Sequence, residues 1–161
     1  MTLGRYIAIG LTLVTALVGI VLFVNSRTLA RLEGHIVQVR SVATDTRANV
    51  VILEVRMTNP GRTLFMVKEV SVLIETADGQ LLEAEAAPEP DIDRLLSYHK
   101  LIGPRYNPTL KSRQRIDPGV TGDYTIAGAF ALTEEELASR KALRVKITDV
   151  DGAVVEIGQR R

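Results

Sequence analysis

The sequence predicts a mainly β protein: an immunoglobulin-like antiparallel β-sandwich with a short helical insertion, preceded by one N-terminal transmembrane helix. Three observations predict it. Ile7 to Val24 is a run of 18 residues without a charge or a proline. From His35 onward, short segments of period-two apolar alternation are separated by Asn, Asp, Gly and Pro, the pattern of half-buried strands joined by turns. One stretch, Ala87 to Arg113, breaks the alternation and carries helical spacing instead. The expected organisation is an anchor over residues 1–26, a linker over 27–34 and a sandwich domain over 35–161.

The anchor is the strongest single signal. Twelve of its 18 residues are Leu, Ile, Val or Phe. At roughly −0.3 to −0.6 kcal/mol each, they favour insertion by about 4 to 7 kcal/mol. A helix of that length rises about 27 Å, close to the ~30 Å hydrocarbon core. The apolar core of a cleaved signal peptide is usually shorter, about 7 to 15 residues, so retention is favoured over cleavage. Tyr6 and Phe23 fall where an aromatic belt lies. The positive charges at Arg5, Arg27 and Arg31 flank both sides. A very short N-tail before an apolar run is the usual layout of an exported domain, so the expected location is the inner membrane, single-pass, with the domain in the periplasm. Thr15/Gly19 and Thr12/Ala16 are small-residue pairs at the spacing that lets helices approach, which is also common in any apolar helix.

Beyond Gly34 the strands follow in order: His35 to Ala43, Asn49 to Thr58, Leu64 to Thr76, Gln80 to Ala86, Gln114 to Ile116, Asp123 to Leu132, Leu143 to Val150 and Ala153 to Ile157. Asn49 to Thr58 is the clearest, with Val51, Leu53, Val55 and Met57 on one face and Val50, Ile52, Glu54 and Arg56 on the other. Asn59-Pro60-Gly61 and Asp117-Pro118-Gly119 are turns. Asp78-Gly79 and Asp151-Gly152 are hairpin signals. Thr133 and Glu136 make a capping box for a short helix ending near Lys141. In the insertion, Asp91 or Asp93 caps a helix running to Leu101 or Ile102, and Gly103-Pro104 stops it. Ile92, Leu95, Leu96 and His99 share one side of it. An antiparallel barrel is the alternative to the sandwich.

Leu53 to Ile74 reads LEVRMTNPGRTLFMVKEVSVLI. With the apolar segment ahead of it and the Asp-Gly hairpin after it, this stretch resembles the late-embryogenesis-abundant type 2 (water-stress and hypersensitivity) domain and related bacterial extracytoplasmic domains, its sharpest motif being Asn59-Pro60. The resemblance implies an immunoglobulin-like sandwich without catalytic residues. The insertion over 87–113 departs from that family's pattern.

Composition narrows the function classes. Arg5 precedes the apolar run, and the other 19 basic residues equal the 19 acidic ones, so the domain has no long-range attraction for nucleic acid or for an anionic membrane surface. There is no cysteine and no tryptophan. Two histidines, His35 and His99, do not make the three- or four-ligand set of a zinc site. Asp149-Val150-Asp151-Gly152 opens like a calcium loop, but the twelfth position falls on Arg160 rather than Glu, so a hairpin is the better reading. Glu85, Glu89, Asp91 and Asp93 are acidic neighbours bordering prolines, read as solvated caps. Lys111, Arg113 and Arg115 alternate, the pattern of a protected edge strand. No cofactor is expected. The sequence therefore points to a non-enzymatic, membrane-tethered interaction or scaffold protein of a bacterial envelope. Its bilayer contact is Ile7 to Val24, and its partner is another membrane protein, docked on Leu95, Leu96, Tyr98 and Tyr106. The alternative is a small-ligand or lipid-binding sandwich with the 87–113 insertion as lid, which needs a cavity of about 300 Å³ or more between the sheets.

Overall fold

The computed structural model describes residues 10–20 and 31–159. Residues 10–20 are helical (α1). The domain then runs β1 (Glu33–Asp45), β2 (Ala48–Thr58), β3 (Phe65–Glu75), β4 (Leu81–Glu85), α2 (Glu89–Tyr98), a 3-10 turn (Lys100–Ile102), β5 (Arg115–Ile116), β6 (Thr121–Phe130), α3 (Glu134–Ala138), β7 (Ala142–Asp149) and β8 (Val154–Gly158). The strands form two antiparallel sheets, β1-β2-β6 and β4-β3-β7-β8, with β5 paired to the start of β3. The ladders make two sheets rather than one closed barrel.

The core lies between them. Val51, Leu53, Val55 and Met57 of β2 meet Val67, Val70, Val72 and Ile74 of β3 and Val145 and Ile147 of β7 in one buried cluster. These are the faces that alternation assigns to the interior. Gly128 of β6 packs tightly on β3: a Cβ there would lie 3.0 Å from the Val72 Cβ.

The anchor extends past the described residues at both ends. Among the described residues, no helix is long and apolar enough to cross a membrane. Residues 10–20 alone rise only about 16 Å. Residues 27–30 of the expected linker also lie outside the description. Its last residues already belong to the domain: Leu32 is buried in the core and β1 begins at Glu33.

Gly34 has a different role from the helix stop that the sequence suggests. It pairs with Met57 inside β1, and a Cβ on it would lie 2.3 Å from the Arg56 carbonyl oxygen. No side chain fits there without moving backbone. Gly34→Ala is expected to destabilise the domain by about 1 to 3 kcal/mol, the range for overpacking. A urea titration of the two proteins checks this, and an unchanged midpoint refutes it.

β1 also departs from strict alternation. Its register with β2 shifts between Ile36 and Gln38, and Val37 is left 57% exposed. This bulge turns Gln38, Arg40 and Val42 to the outside while Ile36 and Val39 stay against the core. The consequence is the placement of Arg40.

Candidate functional site

Both faces of β2 are buried, although only one faces the other sheet. The outer face, with Ile52 at its centre, is covered by α2. Ile92 and Leu96, one helical turn apart, pack on Ile52 of β2 and Ala127 of β6 in a second cluster, with Val50, Ala87, Leu95 and Ile102 against it. A ten-residue helix is marginal by itself. Fully burying two such side chains contributes about 1.5 to 3 kcal/mol each, so the helix holds its shape because the sheet receives it. Its start is set by Pro88 as N-cap and Pro90 in the first turn, not by Asp91 or Asp93 as capping residues. Glu89 and Asp91 in the first turn complement the helix dipole. The helix ends at Tyr98, the 3-10 turn continues it to Ile102, and Gly103 (φ 87°) terminates it.

Two ionic clusters hold the insertion down. The inner one is centred on Glu54, 4% exposed. Its carboxylate accepts hydrogen bonds from Arg40 (2.5 Å), Thr125 Oγ1 (2.7 Å) and Asn107 Nδ2 (2.9 Å). The Arg40 guanidinium also donates to the carbonyl oxygens of Ile102 (3.1 Å) and Pro104 (2.9 Å). The Tyr106 ring stacks over it at 4.8 Å, a cation–π contact. One arginine thus clamps the 3-10 turn and the following loop to the sheet. Residues 108–110 then run beside β6: Leu110 N–H donates to Thr125 O and Thr125 N–H to Pro108 O, closing that sheet edge.

The outer cluster joins the two ends of the insertion. Arg105 pairs with Glu89, with Asp93 at 3.3 Å and with Thr109 Oγ1 at 3.0 Å, while Lys111 reaches Glu89 at 2.5 Å. The Lys111 ammonium and then the Arg105 guanidinium hold the Glu89 carboxyl below the usual glutamate range. On the same sheet face, Arg56 grips Asp123 through two bonds of 2.7 and 2.8 Å, and lowers that carboxyl too. A carboxyl whose folded pKa is depressed stabilises the fold above its unfolded value, and that contribution is lost as pH falls through the folded value. The urea midpoint is therefore expected to drop on acidification below about pH 4 to 5, where unfolded carboxyls titrate. Glu89→Gln should flatten that slope. An identical slope in wild type and variant would show that the outer cluster contributes nothing.

The four residues that the sequence offers as a docking surface separate here. Leu96 is 7% exposed and belongs to the sheet contact, so it is withdrawn from the surface. Leu95 is half-buried beside it. Tyr98 and Tyr106 are 85% and 59% exposed. Sequence reasoning omits Leu101 from the docking set; it is fully exposed between Tyr98 and Tyr106 in the chain. It also misses Arg40, Glu54 and Asn107. The available signal for Glu54 was the run Val50-Val51-Ile52-Leu53, too continuous in apolar residues for a strand with one wet face.

The insertion covers the outer face of one sheet, not a space between the two. The intersheet volume is filled by side chains such as Val51, Leu53, Phe65 and Val72, each 0% exposed. The clefts are at the margins. One of about 480 Å³ lies between the β4–α2 connection and residues 109–112. Another of about 760 Å³ lies where the start of β1 meets the end of β8.

No protein-family model and no curated protein matches the chain. Among solved structures, it is similar to an ApaA-designated protein of Bordetella pertussis, at 15% identity and a TM-score of 0.38 over 81% of this chain and 89% of that one. It is also similar to the archaellum periplasmic stator protein FlaG of Sulfolobus acidocaldarius, at 17% identity and a TM-score of 0.37 over 81% of this chain and 99% of that one.

Proposed function

We propose that the chain is a non-enzymatic docking module of a bacterial envelope. In this reading Ile7 to Val24 tethers an immunoglobulin-like sandwich to the inner membrane, on its periplasmic side, and the insertion presents the contact surface to a second membrane protein. The observation that carries the reading is the contrast within the insertion. Ile92 and Leu96 are sunk into the sheet and the loop is clamped by Arg40, yet Tyr98 and Leu101 stand 85% and 104% exposed. Large side chains on a rigid platform lose little conformational freedom when a partner covers them, and aromatic residues are the usual anchors of such contacts. Free in solution, they add no stability to the domain.

The test is photo-crosslinking in intact cells, with the crosslinker placed at Tyr98 or Leu101 and, as a control, at Val154 on the outer face of the other sheet. The reading expects one membrane-protein adduct from the first two positions and none from Val154. Equal or absent adducts overturn it. Tyr98→Ala with Leu101→Ala should remove that partner while shifting stability by no more than about 0.5 kcal/mol each, the range for exposed positions. Tyr106 is a poor probe because its ring also covers Arg40. The tether is tested separately by adding protease to spheroplasts: digestion from outside supports the placement, and protection of the domain reverses it.

A further inference from the structure

Each sheet ends in two edge strands, and three of the four edges are protected. β6 is capped by the insertion: Thr125 exchanges backbone bonds with residues 108 and 110, and Ala87 N–H donates to the Ala127 carbonyl. β4 is five residues long and carries Glu83 and Glu85. β8 is also five residues long, carries Glu156, and faces the first residues of β1 across the larger marginal cleft. Short length and charge are the usual means of keeping an edge from pairing with another chain.

β1 has neither protection. It is 13 residues long, and between Ile36 and Asp45 its single charge is Arg40. That guanidinium is bound to Glu54 and to the carbonyls of Ile102 and Pro104, so it does not guard the edge. Among the described residues, every backbone hydrogen bond of β1 goes to β2. The N–H and C=O groups on its other side are therefore open to another strand. A regular ladder of six residues, Gln38 to Ala43, lies between one register shift at Val37 and another before Asp45. Ser41 and Ala43 are exposed within it, and Val39 and Val42 favour the extended backbone.

We propose that β1 pairs antiparallel with β1 of a second copy of this chain, about a two-fold axis at Ser41, to make one six-stranded sheet in the order β6-β2-β1-β1-β2-β6. Charge selects the occupant. Arg40 already has its counter-ion, so an incoming strand must bring no charge against it, and Gln38 to Thr44 of a second copy meets that condition. Side chains directly opposite each other share a face, so the axis passes through a residue rather than between two. At Arg40 it would set like charges against each other. At Val39 or Val42 the ladder runs into a register shift. At Ser41 it uses the whole regular stretch, with Arg40 opposite Val42, Val39 opposite Ala43 and Gln38 opposite Thr44. Beyond it, Asp45 and Arg47 at the hairpin tip of one copy run toward His35 and Glu33 of the other, which offers opposite signs at both ends of the ladder. The pairing is independent of the docking surface on the insertion. In a pair tethered to one bilayer, the two-fold stands along the membrane normal. The strands then lie along the membrane surface, with the two chain-entry ends roughly 50 Å apart.

The chain has no cysteine, so disulfide formation reads the register. Full chain in non-ionic detergent, with one cysteine introduced, is oxidised mildly. Ser41→Cys should give a linked dimer, since directly opposed Cβ atoms lie about 4.5 to 5.5 Å apart, near the reach of a disulfide. Val39→Cys alone and Ala43→Cys alone should not, because each position is then about 14 Å from its own copy. The two mixed together should link. Ser41→Lys should weaken the dimer seen by sedimentation by on the order of a hundredfold, as two ammonium groups meet, while Ser41→Thr leaves it intact. An unchanged urea midpoint of the dissociated Lys variant shows that the fold is retained. A dimer that ignores Ser41→Lys and gives no Ser41→Cys disulfide is held by the apolar helix, and overturns the proposal. A wholly monomeric chain, equal linking at all three positions, or a Ser41→Cys adduct in membranes with a different protein in place of a second copy overturns it as well.

Discussion

Glu54→Ala is expected to destabilise the protein by about 3 to 5 kcal/mol, the cost of leaving a buried charge without its partner. The stranded group is Arg40, whose side chain is 9% exposed against 5% for that of Glu54. In the variant its guanidinium keeps two carbonyl acceptors from the insertion and loses its counter-charge. Asn107 and Thr125 lose an acceptor as well. The damage should start in the insertion, because Asn107 lies there and Arg40 holds it through the carbonyls of Ile102 and Pro104. Limited proteolysis is expected to cut between residues 99 and 109 in the variant before the sheets unfold. Arg40→Met with Glu54→Leu separates the two explanations for any loss. Replacing a buried pair by apolar residues of similar size is often neutral or stabilising, and Arg40 Nε is already buried without a hydrogen-bond partner. The double variant should recover most of the urea midpoint while its loop stays cleavable, since the carbonyl contacts to Ile102 and Pro104 are gone. A single variant as stable as wild type would show that the pair is not a fastener.

That separation bears on function. If the insertion is a docking platform, partner binding should follow loop protection rather than global stability. The double variant, stable but unclamped, would then bind more weakly than its midpoint suggests, because the partner must order the loop that Arg40 otherwise holds.

Local chemistry made most of the sheets legible. Val51, Leu53, Val55 and Met57 announce their interior face by spacing alone. Gly79 and Gly152 adopt the positive φ that their Asp-Gly pairs suggest, and Thr133 with Glu136 forms both bonds of the capping box. What stayed hidden depends on residues far apart in the chain. Glu54 meets Arg40, Asn107 and Thr125 at separations of 14, 53 and 71 residues, and no window along the sequence brings them together. The same limit explains Leu96. Helical spacing puts Ile92 and Leu96 on one side and leaves Tyr98 to the other, but which side meets protein depends on whether a sheet lies beneath. Val50 and Ile52 implied one, since an outer face that apolar needs a cover. Leu73 shows the opposite case. It is 4% exposed on the outer face of β3, beside Glu83 and Arg144 in register. Long charged side chains there, paired as Lys146–Glu83 and Arg144–Glu75, cover it with their stems, so an apolar residue on a wet face need not mean a missing partner.

Asn59→Ala is expected to cost about as much as Glu54→Ala, although no charge is involved. Asn59 is fully buried at the turn after β2. Its Nδ2 donates to the carbonyl oxygens of Thr63 and Ile116, both at 2.9 Å, and its Oδ1 accepts from Gly61 N–H at 2.9 Å. Its own backbone bonds Val120 O and Gly119 N–H. One side chain therefore closes its own loop and pins it to the loop before β6. Alanine keeps the backbone bonds and removes the three side-chain ones. Each buried group left unsatisfied costs about 1 to 3 kcal/mol, which places the total near 3 to 5 kcal/mol after partial relaxation. Asn59→Asp sharpens the test. A carboxylate still accepts from Gly61 but cannot donate to either carbonyl and is repelled by both, so at neutral pH it should be at least as damaging as alanine. Protonation restores one donor, and the Asp variant alone should gain stability relative to wild type as pH falls. A urea series across pH reads this directly. If Asp and Ala variants track each other at every pH, the two carbonyl bonds do not hold the loops together, and the fixed geometry of the chain-entry end must come from Pro60 and Pro118 instead.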